Sequence, residues 1–255
     1  MQDRTSQALH TLVFVHGYLD GPDVWQPLIG QLTGSEWRMV TCRLTRASPG
    51  RETSAETLER YARQVLAQTD IAAPAIGLAG PGRLVIVGHS MGAQVAELAA
   101  LELGHRLHGM VRITPAPLAG YPLPPEVLAR FESRAVLTDP SAIGTGKQAM
   151  AEALDRAAVD ILVRATLATG PDTALEQLQA WTGGHPAGQQ TSAITVPVLT
   201  VATDDRFFTA DMLEQSASRF RHSAFERIPG AGHWPQLEQP AVLARTLDRF
   251  VRTLS

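Results

Sequence analysis

Residues 84–92 read LVIVGHSMG, a short apolar run that leads into a serine with a glycine two positions to either side. The run is rich in β-branched residues and does not alternate with polar ones, which is typical of a strand buried on both faces of a parallel sheet. After Ser90, apolar side chains recur at helical spacing, at Met91, Val95 and Leu98. The stretch therefore predicts a buried strand, a tight turn at the serine and an amphipathic helix.

The same alternation of strand and helix extends over most of the chain. Further strands are predicted at 12–15, 38–44, 110–114, 196–201 and 224–228. Helices are predicted at 25–32, 53–66 and 240–254. Thr53 and Glu56 form a capping-box signature, and Pro240 suits the first position of the last helix. This order predicts an α/β protein with a mostly parallel central sheet flanked by helices and joined by right-handed crossovers.

One segment, residues 120–195, interrupts the alternation. It carries no convincing strand pattern, begins in a proline-rich entry and ends in an exit rich in Gly, Pro and Gln. Helices are predicted within it at 126–131, 147–169 and 172–181. A helical insertion between two strands predicts a cap over the carboxyl edge of the sheet. We therefore divide the chain into an α/β core, residues 1–119 and 196–255, and a helical cap, residues 120–195.

Composition restricts the classes of partner. The chain has 255 residues, a formal net charge of −3 and no basic run, so nothing favours nucleic acid or an anionic membrane as a partner. Cys42 is the only cysteine, which excludes an intramolecular disulfide and a zinc–thiolate cluster. Neither the N-terminal stretch MQDRTSQALH nor any other stretch has the apolar length of a leader or a membrane span. We expect a soluble, cytoplasmic protein that acts on a small molecule, and its oligomeric state stays open.

The serine turn is also the strongest candidate for chemistry. Gly88-His89-Ser90-Met91-Gly92 fits the pattern G-x-S-x-G between a strand and a helix, which is the context of a nucleophile elbow. The glycines leave room for crossing backbone, so that the Ser90 hydroxyl stands above the sheet. The backbone N–H of Met91, at the helix N-terminus, points toward the same space. We predict Ser90 as a nucleophile.

A nucleophilic serine needs a base, because its hydroxyl is scarcely ionised at neutral pH. His233 lies in a glycine-rich loop between the last predicted strand and the C-terminal helix, at the carboxyl edge where α/β proteins place their sites. His16 and His89 are also near this edge, but their tight turns favour a packing role. The positions of the other five histidines are typical of surface residues: His10, His105, His108, His185 and His222. We predict His233 as the base.

The base needs a carboxylate that fixes its tautomer. Asp204 and Asp205 both follow the strand at 196–201, and the chain order Ser, Asp, His fits this fold. The strand at 110–114 offers no acid. Adjacent side chains point in different directions, so only one aspartate should reach His233. We favour Asp205, and we interpret Asp204 as a turn residue whose carboxylate accepts local backbone N–H groups.

Two backbone N–H groups are required to stabilise an oxyanion. Met91 supplies one, and Tyr18, in the loop after the first strand, is our choice for the other. Considered alone, that loop fits an ordinary glycine turn equally well. Trp181, Phe207 and Trp234 are candidate apolar walls of a substrate pocket, and each also fits core packing. This chemistry requires no metal ion or organic cofactor.

Four ordered motifs resemble the α/β-hydrolase superfamily over nearly the whole chain: VFVHGY at 13–18, VGHSMG at 87–92, TDDRF at 203–207 and GAGHW at 230–234. The last two particularly resemble small bacterial esterases, cofactor-free haloperoxidases and hydrolases of meta-cleavage products. The resemblance implies the α/β-hydrolase fold with a helical cap inserted after the sixth family strand. It also implies Asp205, directly before Arg-Phe, as the acid, with Tyr18 and Met91 as oxyanion donors.

The resemblance further implies hydrolysis of a carboxylic ester, or of a lactone or thioester, of a small and largely apolar substrate through an acyl-enzyme. C–C bond hydrolysis of a ring-cleavage product and a ligand-binding receptor on a hydrolase fold remain open alternatives. Trp234 stands where related hydroxynitrile lyases carry a lysine, which disfavours lyase chemistry. Ser90 argues against the dehalogenase and epoxide-hydrolase branches, whose nucleophile is aspartate. Because only about ten residues precede the first strand, the hairpin that opens many family sheets is expected to be missing.

Overall fold

The computed structural model describes residues 10–32, 37–46, 52–72 and 82–254. Within these ranges six strands form one sheet in the order β2-β1-β3-β4-β5-β6, and every neighbouring pair is parallel. The strands are β1 His10–Val15, β2 Trp37–Cys42, β3 Leu84–His89, β4 Gly109–Ile113, β5 Val198–Ala202 and β6 Ser223–Arg227. The prediction of a mostly parallel α/β sheet is confirmed.

Helices flank this sheet. Those of the core are α1 Gln26–Ile29, α2 Ser54–Ala72, α3 Met91–Leu103, α8 Ala210–Ala217, α9 Pro235–Glu238 and α10 Pro240–Arg252. The capping box is present, since the Thr53 N–H donates to Glu56 Oε2 at 2.8 Å and the Glu56 N–H donates to Thr53 Oγ1 at 3.3 Å. Pro240 begins α10 as predicted. The helix predicted at 25–32 is shorter, because a 3-10 turn at Pro22–Trp25 precedes the single turn of α1.

The central strand β3 is buried on both faces, as its unbroken apolar run predicts. Leu84 and Ile86 pack on the side of α2 and α3, whereas Val85 and Val87 pack on the side of α10. Successive strand side chains point to opposite faces of a sheet, so each apolar layer takes alternate residues. The two apolar layers pack the sheet between the helices, one layer on each face.

Four helices lie between β4 and β5, within residues 120–195 for which the cap is predicted; we call this segment the insert. They are α4 Pro125–Ala135, α5 Pro140–Gln148, α6 Arg156–Thr169 and α7 Pro171–Gly183. Helix α7 packs against α2, where Arg60 Nη2 lies 2.7 Å from Glu176 Oε1. Arg46 and Asp172 form a second ion pair between core and insert, with 2.9 Å between Nη1 and Oδ2.

The prediction of one helix over 147–169 is wrong, because α5 ends and α6 begins within that range. Between them, Glu238 Oε2 accepts the backbone N–H groups of Glu152 and Ala153 at 2.7 and 2.9 Å. Asp155 then caps α6 by accepting a backbone N–H. The break follows from these partners, because they satisfy donors that a continuous helix would have bonded internally.

The N-terminal stretch MQDRTSQALH is described only at its last residue, His10, which begins β1. Residues 1–9, and with them the prediction of a missing opening hairpin, lie outside the described residues. In the part of the chain that the structure describes, no helix is long and apolar enough to cross a membrane.

Candidate active site

Ser90 occupies a sharp turn between β3 and α3. Its backbone has φ 53° and ψ −123°, a conformation that residues with a side chain rarely adopt. The turn is held on both sides, since the Ser90 N–H donates to Ile113 O at 3.0 Å and the Ser90 carbonyl accepts the Ala93 N–H at 3.0 Å. These bonds fix the serine at the carboxyl edge of the sheet.

The two glycines beside the turn are required by close backbone contacts. A Cβ atom on Gly88 would lie 2.5 Å from Gly92 O and 2.6 Å from Ala93 Cα. A Cβ atom on Gly92 would overlap the carbonyl oxygens of Val15 and His16 at the end of β1. Both glycines therefore let the chain pass beside Ser90 where any larger residue would displace backbone.

Gly88→Ala is expected to lower the free energy of unfolding by about 3 kcal/mol, because its methyl group overlaps backbone that cannot move aside. Chemical denaturation with an unchanged slope measures the loss. Gly146→Ala is the matched control, since a Cβ atom at this position in α5 meets nothing within 4 Å. A Gly88→Ala protein as stable as the control would contradict the steric account of the turn.

His233 and Asp205 are both buried and joined by a short hydrogen bond, with 2.6 Å between Nδ1 and Oδ2. A carboxylate only accepts, so Nδ1 carries a proton, and in the neutral imidazole Nε2 keeps its lone pair. The His233 backbone N–H donates to Met150 O at 3.0 Å and anchors the loop to the insert. Burial alone raises the pKa of Asp205, but His233 and the backbone N–H groups of Phe207 and Phe208 outweigh it and hold that pKa below its ordinary value.

Asp204 is turned away from His233. Its Oδ2 accepts the Gly230 N–H at 2.7 Å, and its Oδ1 lies 2.7 Å from Arg227 Nη2. These two contacts hold the pKa of Asp204 below its ordinary value. The structure thus brings the second aspartate, not the first, to the imidazole. The prediction of local turn contacts for Asp204 is wrong, because the backbone N–H that it accepts belongs to Gly230, 26 positions along the chain.

The other histidines near the edge make packing contacts. His89 Nε2 donates to the carbonyl of His233 at 2.7 Å, and its buried ring lies 4.9 Å from the His233 ring between centroids. His16 Nδ1 lies 2.9 Å from Gly17 O, and its Nε2 accepts the Leu44 N–H at 3.4 Å. Burial is the largest influence on both rings, and it lowers the pKa of each. Both histidines stabilise the loops around Ser90 and His233.

The loop after β1 passes directly beside Ser90. A Cβ atom on Gly17 would lie 3.0 Å from Ser90 Cβ, which places the adjoining Tyr18 backbone near the serine. In the described ranges, no acceptor is found for the backbone N–H of Tyr18 or of Met91. Both backbone N–H groups near Ser90 are therefore without an acceptor in this part of the chain, and the assignment of Tyr18 and Met91 as oxyanion donors stays a prediction.

A cavity of about 740 Å³, its mouth included, opens onto Ser90 and His233. All three predicted wall residues, Trp181, Phe207 and Trp234, line it. From the insert the sequence predicts only Trp181, whereas Phe131, Arg134, Ile143, Lys147 and Met150 of the insert also line the cavity. Helical periodicity marks the apolar face of each insert helix but not the part of it that meets a cavity. Among the described residues, no group of three or more His, Cys, Asp or Glu side chains is arranged to hold a metal ion.

A parallel sheet with a serine turn and an oriented imidazole at its carboxyl edge is the arrangement of the α/β hydrolases. The chain belongs to the alpha/beta hydrolase family, whose sequence model matches residues 12–246. A comparison with curated protein sequences gives no match.

Solved structures share the fold at low sequence identity. A thermophilic esterase from Thermogutta terrifontis has a TM-score of 0.74 and 20% identity, with 96% of this chain and 90% of that chain covered. A bromoperoxidase from Bacillus anthracis has a TM-score of 0.80 and 13% identity, with 96% and 92% covered. Est816, described as an N-acyl homoserine lactone degrading enzyme, has a TM-score of 0.69 and 21% identity, with 94% and 93% covered.

Proposed function

We propose that the protein hydrolyses a carboxylic ester, or a lactone or thioester, through an acyl-enzyme on Ser90. The observation that carries the proposal is the 2.6 Å contact between His233 Nδ1 and Asp205 Oδ2, beside a cavity that His233 and Ser90 both line. This contact leaves Nε2 as the free base on an imidazole that cannot rotate away. Membership of the alpha/beta hydrolase family supports the same reading.

In the first half-reaction, Ser90 Oγ attacks the substrate carbonyl carbon while His233 Nε2 accepts the hydroxyl proton. Negative charge then develops on the carbonyl oxygen, and the Tyr18 and Met91 N–H groups stabilise it. The intermediate collapses with cleavage of the bond to the leaving oxygen or sulfur, which takes the proton from His233. Asp205 stabilises the imidazolium while it exists.

In the second half-reaction, water repeats the attack on the acyl-enzyme. His233 accepts a proton from the water, and the resulting hydroxyl group adds to the acyl carbon. Collapse then breaks the ester bond to Ser90 Oγ, which recovers its proton from His233. The carboxylic acid leaves, and the enzyme returns to its starting state.

The cavity walls support a small and largely apolar substrate. Phe131, Ile143, Trp181 and Phe207 line the space around Ser90, and their side chains offer dispersion contacts to an acyl chain or an apolar leaving group. Lactones belong in the substrate panel because Est816, which shares the fold, is described as degrading an N-acyl homoserine lactone.

Two measurements test the proposal. A fluorophosphonate should label the wild-type chain on the peptide that carries Ser90, because only an activated serine reacts with it quickly. A panel of p-nitrophenyl esters, γ-lactones and thioesters of graded acyl length should then show multiple turnovers.

Labelling without turnover of any member would favour the receptor alternative. Turnover of a dienoic diketone acid much faster than every ester would favour C–C bond hydrolysis. A chain that resists the fluorophosphonate altogether would end the proposal of a serine nucleophile.

A further inference from the structure

A buried carboxylate that the proposed mechanism does not use lies behind the candidate site. Asp20 follows Tyr18 by two positions, and its side chain is 1% exposed. Trp234 Nε1 donates to Oδ2 at 3.0 Å, Lys147 Nζ donates to Oδ1 at 3.1 Å, and His89 Nδ1 lies 3.5 Å from Oδ2. The carboxylate thus contacts side chains from three distant parts of the chain.

Two of these contacts lead directly to the candidate triad. Trp234 follows His233 in the sequence, and His89 precedes Ser90. His89 also joins the two loops, since its Nε2 donates to the carbonyl of His233 at 2.7 Å. A displacement of the Asp20 carboxylate would therefore move the serine turn and the imidazole loop together.

The third contact leads to the insert. Lys147, on α5, is the only lysine of the chain, lines the cavity and is 8% exposed. Its Nζ also donates to Leu19 O at 3.3 Å and lies 4.9 Å from the centroid of the Trp234 ring. Thr166, on α6, donates to the same carbonyl at 3.1 Å. Two insert helices thereby bind the loop that carries Asp20.

Asp20 is charged in this setting. Burial alone raises its pKa, but the charge of Lys147 and the hydrogen bond from Trp234 outweigh burial and hold that pKa well below its ordinary value. Stability is a weak reason for such a pair, because desolvating two charges costs as much as their attraction returns. A role in positioning explains why the pair lies where the serine turn, the imidazole loop and the insert meet.

We infer that Asp20 is a positioning residue of this site: it aligns Ser90 and His233 through His89 and Trp234, and its ion pair with Lys147 fastens the insert over the cavity. The inference rests on the proposed function. Asp20 would have two roles that kinetics can separate. Alignment of the reacting groups governs kcat, whereas the position of the insert over the cavity governs substrate binding.

Asp20→Asn is the central variant. Both carboxylate oxygens accept from donors, whereas an amide has one acceptor oxygen, so one of the bonds to Trp234 and Lys147 must be lost. We expect kcat to fall by about a hundredfold, and KM to rise as well, because the ion pair with Lys147 is lost in the same variant. Lys147→Met should raise KM by about tenfold and leave kcat near its wild-type value. The double variant should keep the kcat loss of Asp20→Asn.

Asp172→Asn is the matched control. It removes an exposed ion pair to Arg46 that also joins core and insert, and both kinetic constants should stay at their wild-type values. A kcat for Asp20→Asn within threefold of wild type would overturn the positioning role. Equal losses in Asp20→Asn and Asp172→Asn would overturn it as well.

The chemical shift of the Trp234 indole N–H tests the contact directly, because a loss of stability alone would not change it. The Trp234 Nε1–H donates to a buried carboxylate, whereas those of Trp25 and Trp181 have no acceptor among the described residues. In ¹⁵N–¹H spectra of the whole chain, Asp20→Asn should shift the resonance that Trp234→Phe removes. An unshifted resonance would overturn the inferred contact.

Two further comparisons keep the test decisive. Should Asp20→Asn fail to fold, Trp234→Phe removes the same hydrogen bond and leaves the Lys147 pair in place, and a wild-type kcat in that variant would overturn the role. Fluorophosphonate labelling of Ser90 separates the two possible failures. An unlabelled wild type defeats the proposed function, whereas equally rapid labelling of wild type and Asp20→Asn defeats only the positioning role.

Discussion

Ser90→Ala is expected to reduce kcat for a p-nitrophenyl ester by about a millionfold. In the proposed mechanism the substitution removes the oxygen that forms the acyl-enzyme, so that only attack by water within the cavity remains. The proposed oxyanion donors, Tyr18 and Met91, and the cavity walls would stay in place and sustain a residual rate above that of free water. Substrate binding should therefore persist, and the carboxylic acid product, acting as a competitive inhibitor, should bind with its wild-type affinity.

Steady-state kinetics and fluorophosphonate labelling measure this effect together. Ser218→Ala is a suitable control, because Ser218 is an exposed residue at the end of α8, and its hydroxyl donates to a local carbonyl. The control should keep full activity and full labelling. If Ser90→Ala retained kcat within tenfold of wild type, the nucleophile would have to be another residue.

Asp205→Asn is expected to lower kcat by up to about ten-thousandfold. In the wild-type chain the Asp205 carboxylate holds the His233 proton on Nδ1, with 2.6 Å between Nδ1 and Oδ2. The amide group of asparagine can donate to Nδ1, which moves the proton to Nε2 and removes the base. The imidazolium would also lose the negative charge that stabilises it in the transition state.

Asp204→Asn is the matched comparison, since it makes the same chemical change one position earlier. The asparagine oxygen can still accept the Gly230 N–H, a contact that Asp204 makes at 2.7 Å. We expect kcat to stay within about tenfold of wild type. If the two variants showed the reverse order of effects, Asp204 would be the acid, and the geometry of this loop in solution would differ from the one described.

The stretch at 84–92 shows which structural features a local sequence pattern can predict. Burial on both faces of β3 follows from its unbroken apolar run, and the glycines beside Ser90 follow from backbone that has to cross there. These are properties of neighbouring residues, so the sequence states them directly. The same holds for the capping box at Thr53 and for Pro240 at the start of α10.

The break between α5 and α6 could not be predicted from the local sequence pattern. Residues 149–155 contain neither Gly nor Pro, and their periodicity predicts a continuous helix. The chain leaves the helix there because Glu238 accepts two of its backbone N–H groups and because Met150 O accepts the His233 N–H. A partner more than eighty positions away thus overrides the helical preference of the segment.

The sequence by itself determined the sheet, the serine turn and the chain order of the candidate triad, because strand burial and turn sterics depend on adjacent residues. Only the tertiary structure decided which aspartate meets His233, which insert side chains line the cavity, and that Asp20 joins Lys147 to Trp234. Asp20 and Trp234 are 214 positions apart, and no periodicity relates residues so distant. Their contact exists because parallel strands bring their carboxyl ends to one edge and the insert then covers it.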